Sequence, residues 1–165
     1  MLEGSSDLAK AVSRPYAALG SDQPARGDDD ACGHYKGRVM SKKATTCKEL
    51  PAPAGPYSHL VEANGFVFTA GLTPRDPATG AVPEGIRAQT DQVIRNLETA
   101  LRAVGLTLSD VVKTTVHLAD LADFSAFNEV YRERFPEPYP VRTTVGSQLA
   151  GFLVEIDAVV ARPVP

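Results

Sequence analysis

The chain has 165 residues, 43% of them hydrophobic and 22% charged, with a net charge of −3. This length predicts one domain, at about 150 residues per domain, and the composition excludes a collagen-like or wholly disordered chain. Because no run of about 18 apolar residues is present, the sequence predicts no membrane-spanning helix, and its acidic balance argues against a surface that binds nucleic-acid phosphates.

The first 47 residues differ in composition from the rest of the chain. They contain none of the 6 Phe residues. They hold 7 of the 17 basic and 6 of the 20 acidic side chains, so residues 48–165 carry 10 basic and 14 acidic side chains, a net charge of 10 − 14 = −4. Such a segment buries too little apolar surface to offset the entropy of ordering it. We therefore predict a disordered N-terminal extension over residues 1–47 and a folded domain over residues 48–165. No secretory or transit peptide is recognisable, so a cytoplasmic protein is expected.

Three residues of the extension are of types that bind metals, namely Cys32, His34 and Cys47. The two cysteines lie 15 residues apart with one histidine between them, a spacing that matches no usual zinc site. We therefore predict no metal site, and reduced, unpaired thiols as is usual in the cytosol.

The folded part begins with a predicted hairpin. The Asn64-Gly65 pair directly precedes the β-rich run Phe66–Thr69, and Asn-Gly is the strongest short signal for a hairpin turn. After a loop rich in Pro and Gly, a helix is predicted over residues 85–104, because apolar residues recur there every three or four positions. Gly105 is expected to end this helix.

The second half of the domain has the predicted order strand, helix, strand, strand. Val111–Leu118 is rich in β-branched residues, and residues 121–135 carry apolar side chains on one helical face, which is typical of a buried strand and an amphipathic helix. Three closely spaced prolines then end the helix. The last two strands are predicted over Arg142–Gln148 and Phe152–Ala161.

The resulting order β-β-α-β-α-β-β defines an α+β domain, with a mixed β-sheet and two helices packed on one face. The other face of the sheet is then uncovered. Because a domain of about 115 residues buries only about two thirds of its unfolded surface, this open face predicts a homo-oligomer that pairs sheet faces or edges.

Familiar catalytic motifs are missing from the folded part of the sequence. It contains no Gly-rich phosphate loop, no His-Glu-x-x-His motif and no nucleophile elbow. His59 and His117 lie in predicted strands, where a lone histidine is more often packed than catalytic. We therefore expect structural roles for both histidines.

Arg142 and two acidic residues of the last strand are the strongest functional residues. Arg142 begins a strand after a proline-rich turn, and a buried guanidinium needs an anionic or carbonyl partner. Its planar donors suit a substrate carboxylate. Arg142 could equally form a structural ion pair, or lie in solvent at the end of its strand. Glu155 and Asp157 lie two residues apart and point to one side of their strand, either to solvent or to a site.

Six segments, taken together, resemble one known family, RidA (also called YjgF/YER057c/UK114). The first two segments resemble the beginning of the family's sequences, the next two resemble the middle, and the last two resemble the C-terminal signature. The resemblance runs from about residue 51 to residue 163. In chain order, they are Pro53–Ser58, Phe68–Pro74, Asp110–Val116, Phe127–Tyr131, Pro140–Val145 and Val154–Ala158.

The resemblance implies a chorismate-mutase-like α+β fold, assembled as a homotrimer with sites between neighbouring subunits. It also implies a hydrolytic deaminase that needs no cofactor. Its substrates would be reactive 2-imino or 2-enamino acids of the 2-aminoacrylate and 2-iminobutanoate type, and its products 2-keto acids and ammonia.

The resemblance also implies roles for particular residues. Arg142 would bind the substrate carboxylate, and Glu155 would position or activate the attacking water. Tyr57 would line the pocket, and backbone groups at Gly71 and Thr144 would contact the substrate.

Two alternatives to a deaminase stay open. One is a trimer that binds carboxylate ligands, or acts like a chaperone, without catalysis, since it would use the same cleft residues. The other is an endoribonuclease or translation inhibitor. The net charge of 10 − 14 = −4 over residues 48–165 disfavours this alternative, because proteins that bind nucleic acids usually carry a basic surface.

Overall fold

The computed structural model describes residues 41–163 of the chain. Two helices and six strands make up the described domain, and short 3-10 turns, Leu108–Asp110 and Leu121–Asp123, precede the fourth strand and the second helix. In chain order, the elements are β1 (Lys43–Thr45), β2 (Leu60–Ala63), β3 (Phe66–Thr69), α1 (Gly85–Arg102), β4 (Val111–Leu118), α2 (Phe124–Arg134), β5 (Val141–Gly146) and β6 (Val154–Ala161).

Most of the expected N-terminal extension lies outside the described residues, and Cys32 and His34 lie there too. Its last residues are folded, however, since β1 pairs antiparallel with β2 and Cys47 is buried in the core. The folded domain therefore begins before residue 48, where the composition placed its start. The reason is that β1 joins the sheet through backbone hydrogen bonds, which require neither Phe nor Ile.

The six strands form one sheet in the order β1-β2-β3-β6-β4-β5. Strands β4 and β5 run parallel, and all other neighbours run antiparallel, so the sheet is mixed as predicted. Strand β5 forms one edge. Arg142 therefore lies at the edge of the sheet, and Glu155 lies on β6, two strands away.

Backbone geometry confirms both glycine predictions. Asn64 and Gly65 have φ angles of 52° and 78°, as a type I′ hairpin turn requires at its two central positions. Gly105 follows α1 with a φ of 74°, and the next amide, that of Leu106, donates to the carbonyl of Leu101 at 3.0 Å. Glycine takes this left-handed conformation without steric cost, so the chain turns away from the helix axis at Gly105. Helix α1 itself ends at Arg102, two residues before the predicted end.

The second helix is shorter than predicted, and the last strands shift by one or two residues. Leu121–Asp123 forms a 3-10 turn because the carboxylate of Asp120 accepts a hydrogen bond from the amide of Ala122 at 2.9 Å. Helix α2 proper then spans Phe124–Arg134.

The two helices cover one face of the sheet, as predicted. On α1, Val93, Ile94 and Leu97 of the predicted apolar stripe are 0% exposed. They join Val116 of β4 and Phe127 of α2 in one hydrophobic core. In the described part of the chain, no helix combines the length and the apolar composition needed to cross a membrane.

The opposite face of the sheet, called the open face below, carries exposed apolar side chains. Strand register places Phe68 of β3, Val159 of β6 and Val141 of β5 on this face. Phe68 and Val141 are 44% and 68% exposed. Apolar side chains exposed together on one face are typical of an interaction surface, so the expectation of an oligomer stays a prediction.

Candidate active site

Arg142 points to the side of the sheet that the helices cover. Register pairs it with Thr114 of β4, which is fully buried. Its Nη2 donates to Oδ1 of Asn128 at 2.7 Å, and its guanidinium carbon lies 4.7 Å from the ring centre of Tyr131 and 5.3 Å from that of Phe127. The partner is therefore a neutral carbonyl oxygen, and these contacts leave the positive charge of Arg142 unneutralised.

The aromatic surface beneath Arg142 is held in place from two sides. The hydroxyl of Tyr131 lies 2.9 Å from Oγ1 of Thr114, and its ring stacks on Phe135 with centres 4.2 Å apart. Burial raises the pKa of the Tyr131 hydroxyl above its usual value, so this group is neutral at physiological pH. Tyr131 thus gives Arg142 a fixed, uncharged support.

A cavity of about 370 Å³ opens beside Arg142. Thr144, two residues further along β5, points to the same side of the sheet as Arg142. The cavity is lined by side chains of α2 and of the segment that leads into β5, namely Asn128, Tyr131, Arg132, Tyr139, Pro140 and Arg142.

A second cluster of predicted residues forms where β6 passes the segment after β3. Leu72 and Ile156 exchange two backbone hydrogen bonds of 2.8 and 3.1 Å, which hold Gly71 beside Glu155. A Cβ at position 71 would lie 2.1 Å from Oε1 of Glu155, so glycine is required for the carboxylate to lie there. Among the described residues, no donor forms a hydrogen bond with this carboxylate, which leaves it open to a ligand.

Tyr57 and Gly71 share a second cavity, of about 320 Å³. The side chain of Tyr57 is 50% exposed, and its hydroxyl accepts a hydrogen bond from the amide of Ala54 at 3.0 Å. The loop that follows Gly71 is anchored by the buried Asn96 of α1, whose amide nitrogen donates to two loop carbonyls at 2.8 Å each.

The two clusters lie on opposite faces of the sheet. Arg142 is level with Thr114 and faces the helices, whereas Glu155 is level with His117 and lies on the open face. Successive residues of a strand point to opposite faces, and Thr114 and His117 lie three positions apart, so they point to opposite faces. A single chain therefore does not bring Arg142 and Glu155 together.

His59 has the structural role that was predicted. It is 4% exposed, its Nδ1 accepts the amide N–H of Cys47 at 2.9 Å, and its Nε2 lies 3.0 Å from the carbonyl oxygen of Pro51. Since both ring nitrogens are occupied by backbone groups, His59 fastens the start of the domain to β2.

His117 lies on the open face, level with Glu155, and its Nδ1 is 2.8 Å from Oγ of Ser147. Asp157 lies on the same face, level with Thr115, which confirms that Glu155 and Asp157 point the same way. The contact of His117 with Ser147 depends on the parallel pairing of β4 with β5, and the sequence does not show that pairing.

The described residues contain no group of three His, Cys, Asp or Glu side chains that could hold a metal ion. Cys47 is buried, and burial raises the pKa of its thiol. The thiol is therefore protonated at neutral pH and is a poor ligand and nucleophile.

Sequence reasoning assigned no role to the residues of α2 that surround Arg142, although the segment Phe127–Tyr131 carries part of the family resemblance. Asn128, Tyr131 and Arg132 are spaced at i, i+3 and i+4, so they share one face of the helix. The spacing is visible in the sequence, but nothing there shows that this face lies against β5.

Comparison with known proteins gives these features a context. The family described as Endoribonuclease L-PSP matches residues 47–162. Reactive Intermediate Deaminase A, chloroplastic, of Arabidopsis thaliana is 44% identical over 106 residues, which are 64% of this chain and 57% of that protein. The 2-iminobutanoate/2-iminopropanoate deaminase of Salmonella typhimurium is 41% identical over 109 residues, which are 64% of this chain and 84% of that protein.

The structure of E. coli TdcF with bound serine has a TM-score of 0.70 and 34% identity, over 73% of this chain and 99% of that chain. A mixed sheet with two helices on one face is thus the fold of an established class of small α+β proteins. Within that class, the chain belongs to the endoribonuclease L-PSP family, which is the RidA family that its motifs resemble.

Proposed function

We propose that this protein hydrolyses reactive 2-imino and 2-enamino acids to 2-keto acids and ammonia, without a cofactor. The observation that carries the proposal is Arg142, a cation on an aromatic surface beside a cavity, with no carboxylate partner among the described residues. Two relatives named as deaminases, one of them of 2-iminobutanoate and 2-iminopropanoate, support this chemistry.

Arg142 is suited to bind the carboxylate of such a substrate. A guanidinium has five N–H donors in a planar fork, and one nitrogen donates to Asn128. The remaining donors can form two parallel bonds to a carboxylate, which fixes the orientation of the substrate as well as its position. The rings of Phe127 and Tyr131 restrict the plane of the guanidinium and add a cation–π attraction.

The reaction needs little more than a positioned water and one base. The imine carbon is electrophilic, so the water oxygen adds to it directly while Glu155 accepts a proton. Glu155 returns this proton to the nitrogen, the hydroxyl proton of the adduct follows it, and the C–N bond breaks, so that ammonia leaves and the carbonyl of the keto acid remains. A 2-enamino acid first gains a proton from water at its β-carbon and loses one from its nitrogen, which converts it into the imine. Tyr57 and the backbone groups at Gly71 and Thr144 would hold the reactants in place, which supplies most of the acceleration.

We propose a site that is shared between copies of the chain in a homotrimer. In this arrangement the edge strand β5 of one copy lies against the open face of the next. The cavity of Arg142 then meets the cavity of Tyr57 and Gly71, with Glu155, in the neighbouring copy. The exposed Phe68 on the open face supports such a contact.

The test follows the loss of freshly generated 2-aminoacrylate or 2-iminobutanoate in the presence of the protein. We expect hydrolysis faster than in buffer. Arg142→Ala should lower kcat/KM by about 30-fold or more, because loss of one partner from a buried charge pair costs about 2–5 kcal/mol. Glu155→Gln should lower kcat by about 100-fold or more, as expected for a lost general base.

Arg102→Gln is the matched control, because Arg102 is an exposed arginine of α1 that donates to Thr99 and lies in neither cluster. It should keep the wild-type rate. Wild-type protein that binds keto acids but leaves imine loss at the buffer rate would replace the deaminase with a binding-only trimer. RNA cleavage that accompanies the pure protein and disappears in Arg142→Ala would instead favour the endoribonuclease.

A further inference from the structure

The cavity beside Arg142 contains a second arginine that the proposed function does not use. Arg132 lies in the last turn of α2, four residues after Asn128, the residue that accepts the hydrogen bond from Arg142. Residues four apart on a helix lie on the same face. Arg132 and Arg142 accordingly line the same cavity of about 370 Å³.

Neither of these two arginines has an acidic partner in the part of the chain that the structure describes. The lining of the cavity also contains no Asp or Glu, since its other members are Asn128, two tyrosines and a proline. Of the six other described arginines, four form ion pairs with carboxylates, namely Arg87, Arg95, Arg134 and Arg162. The remaining two, Arg75 and Arg102, donate to oxygens of Gly80 and Thr99.

The lining that a single chain contributes to this cavity carries charge of one sign, and such a surface attracts ligands of the opposite sign. One cation in this cavity matches the carboxylate that every 2-imino acid carries beside its imine carbon. The second cation has no counterpart in a substrate with an apolar side chain such as 2-iminobutanoate. The cavity therefore fits a small ligand with two anionic groups better than a ligand with one.

We propose that the preferred substrates are 2-imino acids with a second carboxylate on the side chain. This rests on the proposed function and refines its substrate class. Arg142 binds the carboxylate beside the imine carbon, and Arg132 binds the side-chain carboxylate. The chemistry is unchanged: water adds to the imine carbon, the C–N bond breaks, ammonia leaves, and a dicarboxylic 2-keto acid remains.

Calorimetric titration of the full chain with two stable keto acids tests this proposal. 2-Oxobutanoate carries one carboxylate, and 2-oxopentanedioate carries two. We expect wild-type protein to bind the dicarboxylate about tenfold more tightly, as one added charge-assisted contact predicts. Arg132→Gln should abolish most of this preference, and Arg132→Lys should retain part of it, because the charge remains but the planar fork is lost.

Arg102→Gln again serves as the control, since it removes one exposed positive charge outside the cavity and should keep the preference. Equal binding of the two keto acids by wild-type protein, failure of both to bind, or an unchanged preference in Arg132→Gln would overturn the proposal. A different outcome would reject the proposed function alone. If the preference depends on Arg132 but neither type of imine is hydrolysed faster than in buffer, the second anion site stands and the deaminase does not.

Discussion

At position 71, the chain after β3 passes so close to β6 that a Cβ would occupy the place of the Glu155 carboxylate. A Cβ there would lie 2.1 Å from Oε1 and 2.9 Å from Cδ of Glu155, so the carboxylate would have to move. In the proposed site this carboxylate positions the attacking water. A displacement of about 1 Å in such a geometry can cost about 100-fold in rate.

Gly71→Ala should therefore lower kcat for 2-iminobutanoate by about 10- to 100-fold, while the protein stays folded because a flexible side chain gives way before the backbone does. Steady-state kinetics and thermal unfolding of the same samples check both parts. Arg102→Gln, which lies outside both clusters and outside β5, is the control and should keep the wild-type kcat. A wild-type kcat in Gly71→Ala would show that the position of Glu155 does not matter for turnover.

Single residues were predictable where chemistry or a motif distinguishes them. Arg142 stands out in the sequence because it begins a β-rich run after a proline-rich turn, where a buried guanidinium needs a partner, and because the motif around it resembles a known family; its role in binding stays a prediction. Its actual partner, Asn128, was not predicted, because the hydrogen bond spans 14 residues between α2 and β5. Such a contact depends on how two elements pack, which neither periodicity nor composition reveals.

At the scale of elements, one buried hydrogen bond joins α2 to β4 beneath the candidate site. It links the hydroxyl of Tyr131, 5% exposed, with that of Thr114, 0% exposed, at 2.9 Å. Removing one hydroxyl leaves the other buried without its partner, which costs about 1–3 kcal/mol, whereas replacing both by apolar groups can be nearly neutral.

Tyr131→Phe and Thr114→Val should each lower the free energy of unfolding by about 1–3 kcal/mol. The double variant should lose clearly less than the sum of the two, because neither hydroxyl then remains unpaired. Urea unfolding of the four proteins provides the complete cycle. Strictly additive effects would mean that the two hydroxyls do not depend on each other for stability.

Elements were predictable where the pattern is long. Helix α1 follows from an apolar stripe that continues for five turns, and the first hairpin follows from the Asn64-Gly65 pair. Strand β1 has only 3 residues, KAT, with no apolar alternation, and its place in the sheet comes from backbone pairing with β2. The composition of residues 1–47 therefore concealed it.

At the scale of the whole molecule, the residues that resemble a catalytic set are divided between two faces of one sheet. The uncovered face was predictable, because two helices cover only one side. The division of the candidate residues between the two faces was not predictable, because it depends on the register of β4 with both β5 and β6. An open face that carries exposed apolar side chains, with part of the proposed site on each side of the sheet, supports our proposal of a site shared between copies.

Subunit mixing tests this central claim most directly. Arg142→Ala and Glu155→Gln are produced together at equal levels, and imine hydrolysis by the mixed assemblies is measured. With a site shared between neighbours in a trimer, about three quarters of randomly formed trimers contain both variants, and each has one intact site, so about a quarter of the wild-type activity should return. Activity that stays at the level of the separate variants would contradict the shared site, because no mixture restores a site whose two residues come from one chain.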